Sequence, residues 1–313
     1  MKYLLLTTIL LSCLFKSFAQ AGKKNLVPII ASDWWRICEM PDLGPLAGED
    51  LAKQHLIDHG FIQADNGKWQ LWACMRNTKV GRLLYGWEGE SLEKGPWRPT
   101  GIKARASDEF GEPTAPEKIQ APFFLKSDTA YLCFYNAAGI RLMTSEDGIN
   151  YERSRFTNGK NVLYKNGGRD VMVIATDSLF YAYSTVSTVA KDNWKYGFII
   201  LKTSPDLKRW SDYSIVASGG RAGNGPVSAE SPFVVHKDGY FYLFRATSTD
   251  GHTYVYRSDD PYNFANNDDE KLVAKLPIKA PEIICHEGQW YISDIADFKG
   301  IKLAKLEWVN DTK

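Results

Sequence analysis

The sequence predicts an all-β protein, namely a five-bladed β-propeller with four-stranded antiparallel blades. A hairpin unit recurs five times along the 313 residues, and its starts at His59, Pro122, Val171, Pro232 and Pro281 lie 49 to 63 residues apart. Such spacing, with several short strands in each repeat, is typical of propeller blades. Phe, Trp and Tyr make up 13% of the chain, and aromatic residues favour β-sheets.

Each unit begins with a short apolar run, passes through a tight turn and continues into an aromatic-rich strand. Several of the turns contain Gly, as in Asn66-Gly67 and Asp238-Gly239. Gly suits tight hairpins because it accepts a positive φ. A two-sheet sandwich would not explain such a recurring unit. The units span residues 58–72, 121–135, 170–183, 231–244 and 280–292.

The C-terminal segment 300–308 alternates apolar and polar residues as a strand does. We expect it to close the ring and so to remove a free sheet edge. Residues 20–313 are therefore predicted to form a single catalytic propeller domain.

The N-terminal segment 1–19 has the pattern of a secretory signal peptide. A positive start precedes an apolar run that ends at Ser17-Phe18-Ala19, where small residues suit cleavage. Cys13 would suit a lipoprotein anchor, but the apolar residues that follow it favour cleavage instead. The sequence thus predicts a secreted or periplasmic protein with no membrane span.

The charge balance excludes several classes of partner. Lys and Arg number 38 against 37 Asp and Glu, which gives no basic field for nucleic acid. The five His residues are scattered and the cysteines form no C-x-x-C pair, so no metal site is predicted. We expect a monomer that requires no cofactor.

Three carboxylates stand where the innermost strand of a blade begins. Asp58 precedes the first unit, Asp170 the third and Glu230 the fourth. Because the innermost strands of a propeller line its central channel, we expect these side chains to meet at one mouth of the channel. Cleavage of a glycosidic bond needs one carboxylic acid and one carboxylate, and a third carboxyl can tune the acid by like-charge repulsion.

These positions resemble those of the five-bladed propeller glycoside hydrolases of family 43, which have kinship to families 32 and 117. The matching elements are Asp58-His59-Gly60, Arg169-Asp170-Val171 and Glu230-Ser231-Pro232. The resemblance covers nearly all of the mature chain. It implies that Asp58 is the general base, or the nucleophile, that Asp170 modulates the pKa of the acid, and that Glu230 is the general acid. Related propellers sometimes hold calcium in the channel, but nothing in this sequence demands it.

The chain departs from the family pattern in ways that bear on the substrate. Proline is missing after Asp58 and Asp170, and blade two has Phe123 where family 43 often has Asp. An acidic counterpart appears in blade five as Glu282. The arabinose- and xylose-containing substrates of the family are therefore not carried over. Family 43 implies inversion, whereas family 32 retains configuration.

Further side chains are predicted to bind the sugar, each with a structural alternative. The paired Trp rings either stack on a sugar or fill the core. The Arg guanidinium groups either bind sugar hydroxyls or hold a catalytic carboxylate. The loop His either reaches the mouth of the channel or faces solvent. A fourth acid faces the pocket or bonds a neighbouring blade. The candidates are Trp34, Trp35, Arg36, Arg76, Arg169, Arg245, His252 and Glu282.

These patterns together predict a glycosidase that acts on an oligo- or polysaccharide. We expect action from the chain end, because the compact chain has no accessory binding module. Two alternatives stay open: a non-catalytic carbohydrate-binding propeller, and a glycoside phosphorylase that uses phosphate in place of water.

Overall fold

Five β-sheets arranged as the blades of a propeller make up the structure. The computed structural model describes residues 22–155, 161–164, 168–176, 178–189 and 195–312. Each sheet has a path of four strands hydrogen-bonded in antiparallel order, with an extra short strand beside three of them. The predicted fold class is thereby confirmed. The predicted signal peptide and Cys13 lie outside the described residues, and no helix among the described ones is long and apolar enough to cross a bilayer.

The first strands of the chain belong to the last blade, whereas blade one begins with the third strand. The strands up to the end of blade one are β1 (Leu26–Ile30), β2 (Trp35–Glu39), β3 (His55–Gln63), β4 (Trp69–Thr78), β5 (Gly81–Gly89), β6 (Arg98–Ala104) and β7 (Glu117–Lys118), the last of which pairs in parallel with β5.

Blades two, three and four follow in sequence, each from the innermost strand outward. Their strands are β8 (Gln120–Lys126), β9 (Tyr131–Asn136), β10 (Ile140–Ser145), β11 (Glu152–Arg153) and β12 (Val162–Tyr164); β13 (Arg169–Ala175), β14 (Phe180–Val189), β15 (Lys195–Ser204) and β16 (Ser214–Ser218); β17 (Glu230–Lys237), β18 (Tyr240–Thr247), β19 (His252–Ser258) and β20 (Leu272–Leu276). Short 3-10 turns are formed by Gly44–Leu46, Leu51–Lys53, Asp108–Phe110 and Ala296–Phe298.

Blade five joins the two ends of the chain. It consists of β21 (Ile283–His286), β22 (Gln289–Asp294) and β23 (Gly300–Asn310), and β1 adds to β23 as the outermost strand of the path. Strand β2 pairs with another part of β23. The predicted C-terminal strand is thus present, but the outermost strand that completes the sheet comes from the N-terminal side.

Each blade has the same backbone distortion at or near the start of its innermost strand. The residues Asp58, Ala121, Asp170, Ser231 and Ala280 all have a φ between 44° and 52°, in the left-handed region. In the first four blades the pairing register shifts at this point, as at a β-bulge. A bulge bends its strand and re-aims a side chain, so the five positions mark equivalent points at one mouth of the channel.

Apolar packing between blades holds the ring together. Near the axis, the rings of Phe123 in blade two and Phe233 in blade four lie 6.0 Å apart. Further out, Trp308 of β23 contacts Tyr242 of blade four edge-on at 4.7 Å. Buried aromatic and aliphatic side chains thus fix the blades relative to one another, and with them the carboxylates that the blades carry.

Candidate active site

A cavity of about 330 Å³ opens at the mouth of the channel where the inner strands begin. Asp58 of blade one, Asp170 of blade three and Glu230 of blade four all line it. Residues 112 and 60 positions apart in sequence are therefore neighbours in space, as the repeat predicts.

Asp58 is held by an arginine from the neighbouring strand. The Arg76 guanidinium donates a hydrogen bond of 3.0 Å to Asp58 Oδ2, and a longer one of 3.4 Å to Gln120 Oε1. The Asp58 side chain is only 7% exposed, so this charge-assisted contact fixes both its rotamer and its position in the cavity wall.

Asp170 is also largely buried in the cavity wall. Its side chain is 9% exposed, and its Oδ2 accepts a 3.4 Å hydrogen bond from the Ser231 backbone N–H. Burial raises the pKa of Asp170 to about 7, with repulsion from Asp58 and Glu230 adding to the shift and Arg169 opposing it. Asp170 is therefore a carboxyl that exchanges its proton near neutral pH.

Arg169 links Asp170 and Glu230. Its Nη2 donates a 3.1 Å hydrogen bond to Glu230 Oε1, and its Nε lies 3.5 Å from Asp170 Oδ2. The second Glu230 oxygen accepts a hydrogen bond from the Ser248 hydroxyl. Arg169 also donates to Ser187 Oγ at 2.9 Å. Glu230 thus reaches the cavity with each oxygen oriented by a separate donor.

Below the cavity the channel narrows to a space with a volume of about 20 Å³. This space has room for roughly one water molecule. Glu282 and His59 line this narrow part together with Asp58 and Asp170. Burial, followed by the charge of Asp58, raises the pKa of Glu282 well above its ordinary value. Glu282 is thus a neutral acid below the cavity, whereas the sequence predicts a residue that faces the pocket and binds the sugar or bonds a neighbouring blade.

His59 joins blade one to blade five. Its Nε2 hydrogen bonds to Ser293 Oγ at 2.7 Å, and the ring is buried. Burial lowers the pKa of His59 to about 3, so the imidazole is neutral. The Ser293 hydroxyl also accepts a 2.7 Å hydrogen bond from the Glu282 backbone N–H, which fixes the start of blade five.

The structure corrects the placement of the N-terminal candidates, which lie outside the cavity lining. Trp35 packs edge-on to Tyr291 and donates from Nε1 to the Leu92 carbonyl at 2.7 Å. The ring of Trp34 lies under Lys302 Nζ, and Arg36 lies 3.9 Å from Glu39. The pairing of β2 with β23 draws all three to blade five.

Two candidates of blade four are likewise displaced from the cavity wall. Arg245 is fully buried, and its guanidinium donates to the backbone carbonyls of Ser228, Gly219 and Gly223. It holds the loop that precedes Glu230 and does not reach a sugar. His252 hydrogen bonds through Nδ1 to the Asp250 carbonyl at 2.8 Å, so its ring caps its own hairpin.

Several residues that line the cavity carry no signal in the sequence. The His55 and Phe298 rings stack with centroids 5.0 Å apart, and Lys279 and Val227 complete the wall beside them. His55 lies three residues before Asp58 and on the same strand, which is the one clue available. Phe298 comes from a 3-10 turn in which Ala296, Asp297 and Phe298 all have positive φ.

Among the described residues, no group of three or more His, Cys, Asp and Glu side chains has the arrangement of a metal site. The cavity polar groups are carboxylates, guanidinium groups, an ammonium, an imidazole and hydroxyls. Such a set binds hydroxyl-rich ligands and transfers protons.

Comparisons with known proteins place the fold. No protein-family model and no curated protein matches the chain. Among solved structures, a thermostable family-43 glycoside hydrolase matches with a TM-score of 0.63 at 13% identity, over 84% of this chain and 91% of that one.

Two further structures agree with this match. An endo-1,4-beta-xylanase from Bacteroides thetaiotaomicron matches with a TM-score of 0.59 at 16% identity, over 80% of this chain and 89% of the other. An exo-1,5-alpha-L-arabinanase from a bovine ruminal metagenomic library matches with a TM-score of 0.52 at 18% identity, over 81% and 93%. The chain therefore has the five-bladed propeller fold of family-43 glycoside hydrolases.

Proposed function

We propose that this protein is a glycosidase that hydrolyses an oligo- or polysaccharide. The observation that carries the proposal is the convergence of Asp58, Asp170 and Glu230 on one cavity from three blades. A carboxylate that only caps a strand needs no second carboxylate beside it, whereas cleavage of a glycosidic bond needs at least two carboxyl groups at one site. The family-43 fold of the neighbours supports the same reaction class.

The roles follow from what each carboxyl contacts. Glu230 is the proposed general acid, since its oxygens face the cavity between Arg169 and Ser248. Asp58 is the proposed general base, or the nucleophile in a retaining reaction. Asp170 is the proposed modulator, because it contacts the same arginine as Glu230 and because its pKa, raised mainly by burial, is raised further by the charges of Asp58 and Glu230, so the carboxyls influence one another's protonation.

Cleavage would proceed by proton transfer and attack at the anomeric carbon. Glu230 gives its proton to the leaving oxygen, while Asp58 removes a proton from the attacking water. The anomer released, followed by proton NMR, distinguishes this inverting course from a retaining one in which Asp58 attacks directly.

Chain-end action is the mode that the cavity favours. Its volume is at the small end of ligand pockets, which hold roughly 300–1,000 Å³, and the channel below it has room for about one water. A site closed at its base accepts a terminus more readily than the middle of a polymer. We also propose export from the cytoplasm, directed by residues 1–19, and a monomeric state.

The test is a screen of glycosides and oligosaccharides with the wild type and the Glu230→Gln variant. We expect turnover by the wild type, loss of at least about 1,000-fold in the variant and retained binding. Glu307→Gln, an exposed site on β23, is the matched control and should behave as wild type. Binding by the wild type without turnover of any glycan would instead support a carbohydrate-binding propeller.

The same screen, carried out with and without inorganic phosphate, also tests for phosphorolysis. A phosphate pocket would need cations, for which the sequence offers Arg36, Arg76 and Arg169. Arg76 and Arg169 pair with carboxylates at 3.0 and 3.1 Å, and Arg36 lies outside the cavity lining. We therefore expect a rate that is independent of inorganic phosphate. A rate that requires phosphate would replace the hydrolase with a phosphorylase.

A further inference from the structure

One cation in the cavity wall has no ion pair with any acid of the cavity. The lining contains three cations, Arg76, Arg169 and Lys279, and three acids, Asp58, Asp170 and Glu230. Each arginine forms an ion pair with an acid of the cavity, whereas the ion pair that Lys279 forms is with Asp297, which is not in the lining. Lys279 is thus the cation of this wall that no cavity carboxylate neutralises.

Lys279 is held in place without being strongly paired. Its backbone N–H donates a 2.8 Å hydrogen bond to Asp294 Oδ1, and that carboxylate pairs with Lys302 at 3.1 Å. The ammonium lies 5.3 Å from the Phe298 ring centroid and 3.9 Å from Asp297, whose side chain is 96% exposed. Such an exposed pair contributes little, so the Lys279 ammonium is available to a ligand.

The same side of the cavity contains further positive charge behind its lining. Lys299 Nζ donates to the backbone carbonyls of Ala52 and Gln54, at 2.7 and 2.9 Å, directly before His55. Burial, together with the positive charges of Lys299 and Arg76, lowers the pKa of His55. The His55 ring is therefore neutral and adds a donor or acceptor without adding charge to this wall.

A cation without a counter-ion beside a glycosidase site disfavours the transition state of the reaction. The transition state of glycoside cleavage develops positive charge on the sugar ring, and a nearby ammonium opposes it unless the substrate brings an anion. Resting on the proposed function, we propose that the sugar bound in this cavity carries an oxyanion substituent, a carboxylate or a sulfate ester, and that Lys279 binds it.

The experiment compares paired substrates that differ only in charge. Uronate-containing oligosaccharides are matched with their carboxyl-reduced forms, and sulfated oligosaccharides with their desulfated forms. We expect kcat/KM for the charged member of one pair to exceed that of its neutral partner by at least tenfold. The pair that responds distinguishes carboxylate from sulfate, and added salt should raise KM for the charged member.

Variants assign the preference to Lys279. Lys279→Met should reduce the ratio of charged to neutral kcat/KM to near one, mainly through KM, whereas Lys279→Arg should keep most of the ratio. Lys126→Met removes the same charge at the far end of the blade-two inner strand and should leave the ratio unchanged. A wild type that prefers the neutral members, or a ratio that Lys279→Met does not change, would overturn the inference.

Two outcomes keep this inference separate from the proposed reaction. If no substrate is hydrolysed, calorimetric titration of the same pairs into the wild-type protein decides: tighter binding of a charged member that is lost in Lys279→Met supports the anionic ligand although the hydrolase fails. A phosphate-stimulated rate that depends on Lys279 would assign the ammonium to inorganic phosphate and overturn the anionic sugar.

Discussion

Blades two and three share one backbone feature at the cavity mouth and differ in its side chain. Ala121 and Asp170 are each the second residue of an innermost strand, and both have a φ near 50°. Asp170 is a titrating acid against Arg169 and Ser231, whereas Ala121 adds a methyl group to the channel wall. The fold thus supplies an equivalent position at the mouth in all five blades. The chemistry depends on which blades have an acidic residue at that position or immediately before it, as Glu230 precedes Ser231 in blade four.

The first prediction removes the acid of blade one. Asp58→Asn should lower kcat by about 1,000-fold, because the amide neither accepts a proton from water nor attacks the anomeric carbon. Asp65→Asn, in the hairpin at the other end of the same strand pair, is the matched control and should retain activity. Steady-state kinetics on the best substrate decide, and near-normal turnover in Asp58→Asn would remove Asp58 from the mechanism.

The second prediction removes the acid of blade three. Asp170→Asn should lower kcat by roughly 10- to 100-fold and flatten the limb of the pH–rate profile near pH 7. In the wild type the raised pKa of Asp170 contributes stability that is fully present below about pH 4 and is lost as the pH rises through about 7.

Denaturant unfolding at several pH values checks the second prediction independently of catalysis. The free energy of unfolding of Asp170→Asn should fall less between pH 4 and pH 8 than that of the wild type. An equal fall in both proteins would mean that Asp170 is ionised across this range, and the role as modulator would be lost.

The third prediction gives blade two the side chain of blade three. Ala121→Asp fits the left-handed backbone, since Asp58 and Asp170 already adopt it. A further carboxyl in the narrow channel should raise the pKa of Asp170 and lower the free energy of unfolding by about 2 kcal/mol at pH 8. At pH 4, where the added group is protonated, the loss should be smaller; a loss that does not change with pH would contradict this.

The fourth prediction tests the strain of the mouth position alone. Ala121→Gly should raise the free energy of unfolding by about 0.5 kcal/mol, because glycine adopts a positive φ without the Cβ penalty but loses more chain entropy on folding. Ala130→Gly in the adjacent hairpin loop, whose residue is not among those with a positive φ, should be neutral or destabilising. A destabilised Ala121→Gly would mean that the alanine methyl packs tightly enough to outweigh the strain.

The repeat was predictable from the sequence because it is local. The unit starts reproduce the spacing of the five left-handed positions, and the pattern of apolar run, turn and aromatic strand depends on neighbouring residues. From these starts the meeting of Asp58, Asp170 and Glu230 follows from geometry, because equivalent points of all blades surround one axis.

The rest of the site depends on pairings between distant segments. Trp35 is drawn to blade five because β2 pairs with β23, and nothing near Trp35 encodes that partner. Arg169 and Arg245 look alike in sequence, yet one reaches acids in the cavity and the other is fully buried against carbonyls. Phe298 and Lys279 enter the wall through a 3-10 turn and a loop, whose conformation has no periodic signature.

The central claim is that the three carboxylates cooperate on one glycosidic bond, with Glu230 giving the proton. The most direct measurement compares Glu230→Gln with the wild type on an unactivated oligosaccharide and on the aryl glycoside of the same sugar with a dinitrophenyl leaving group, which departs without a proton. We predict a loss of at least about 1,000-fold on the oligosaccharide and less than about tenfold on the aryl glycoside. Equal losses on both substrates, or none on either, would contradict the account.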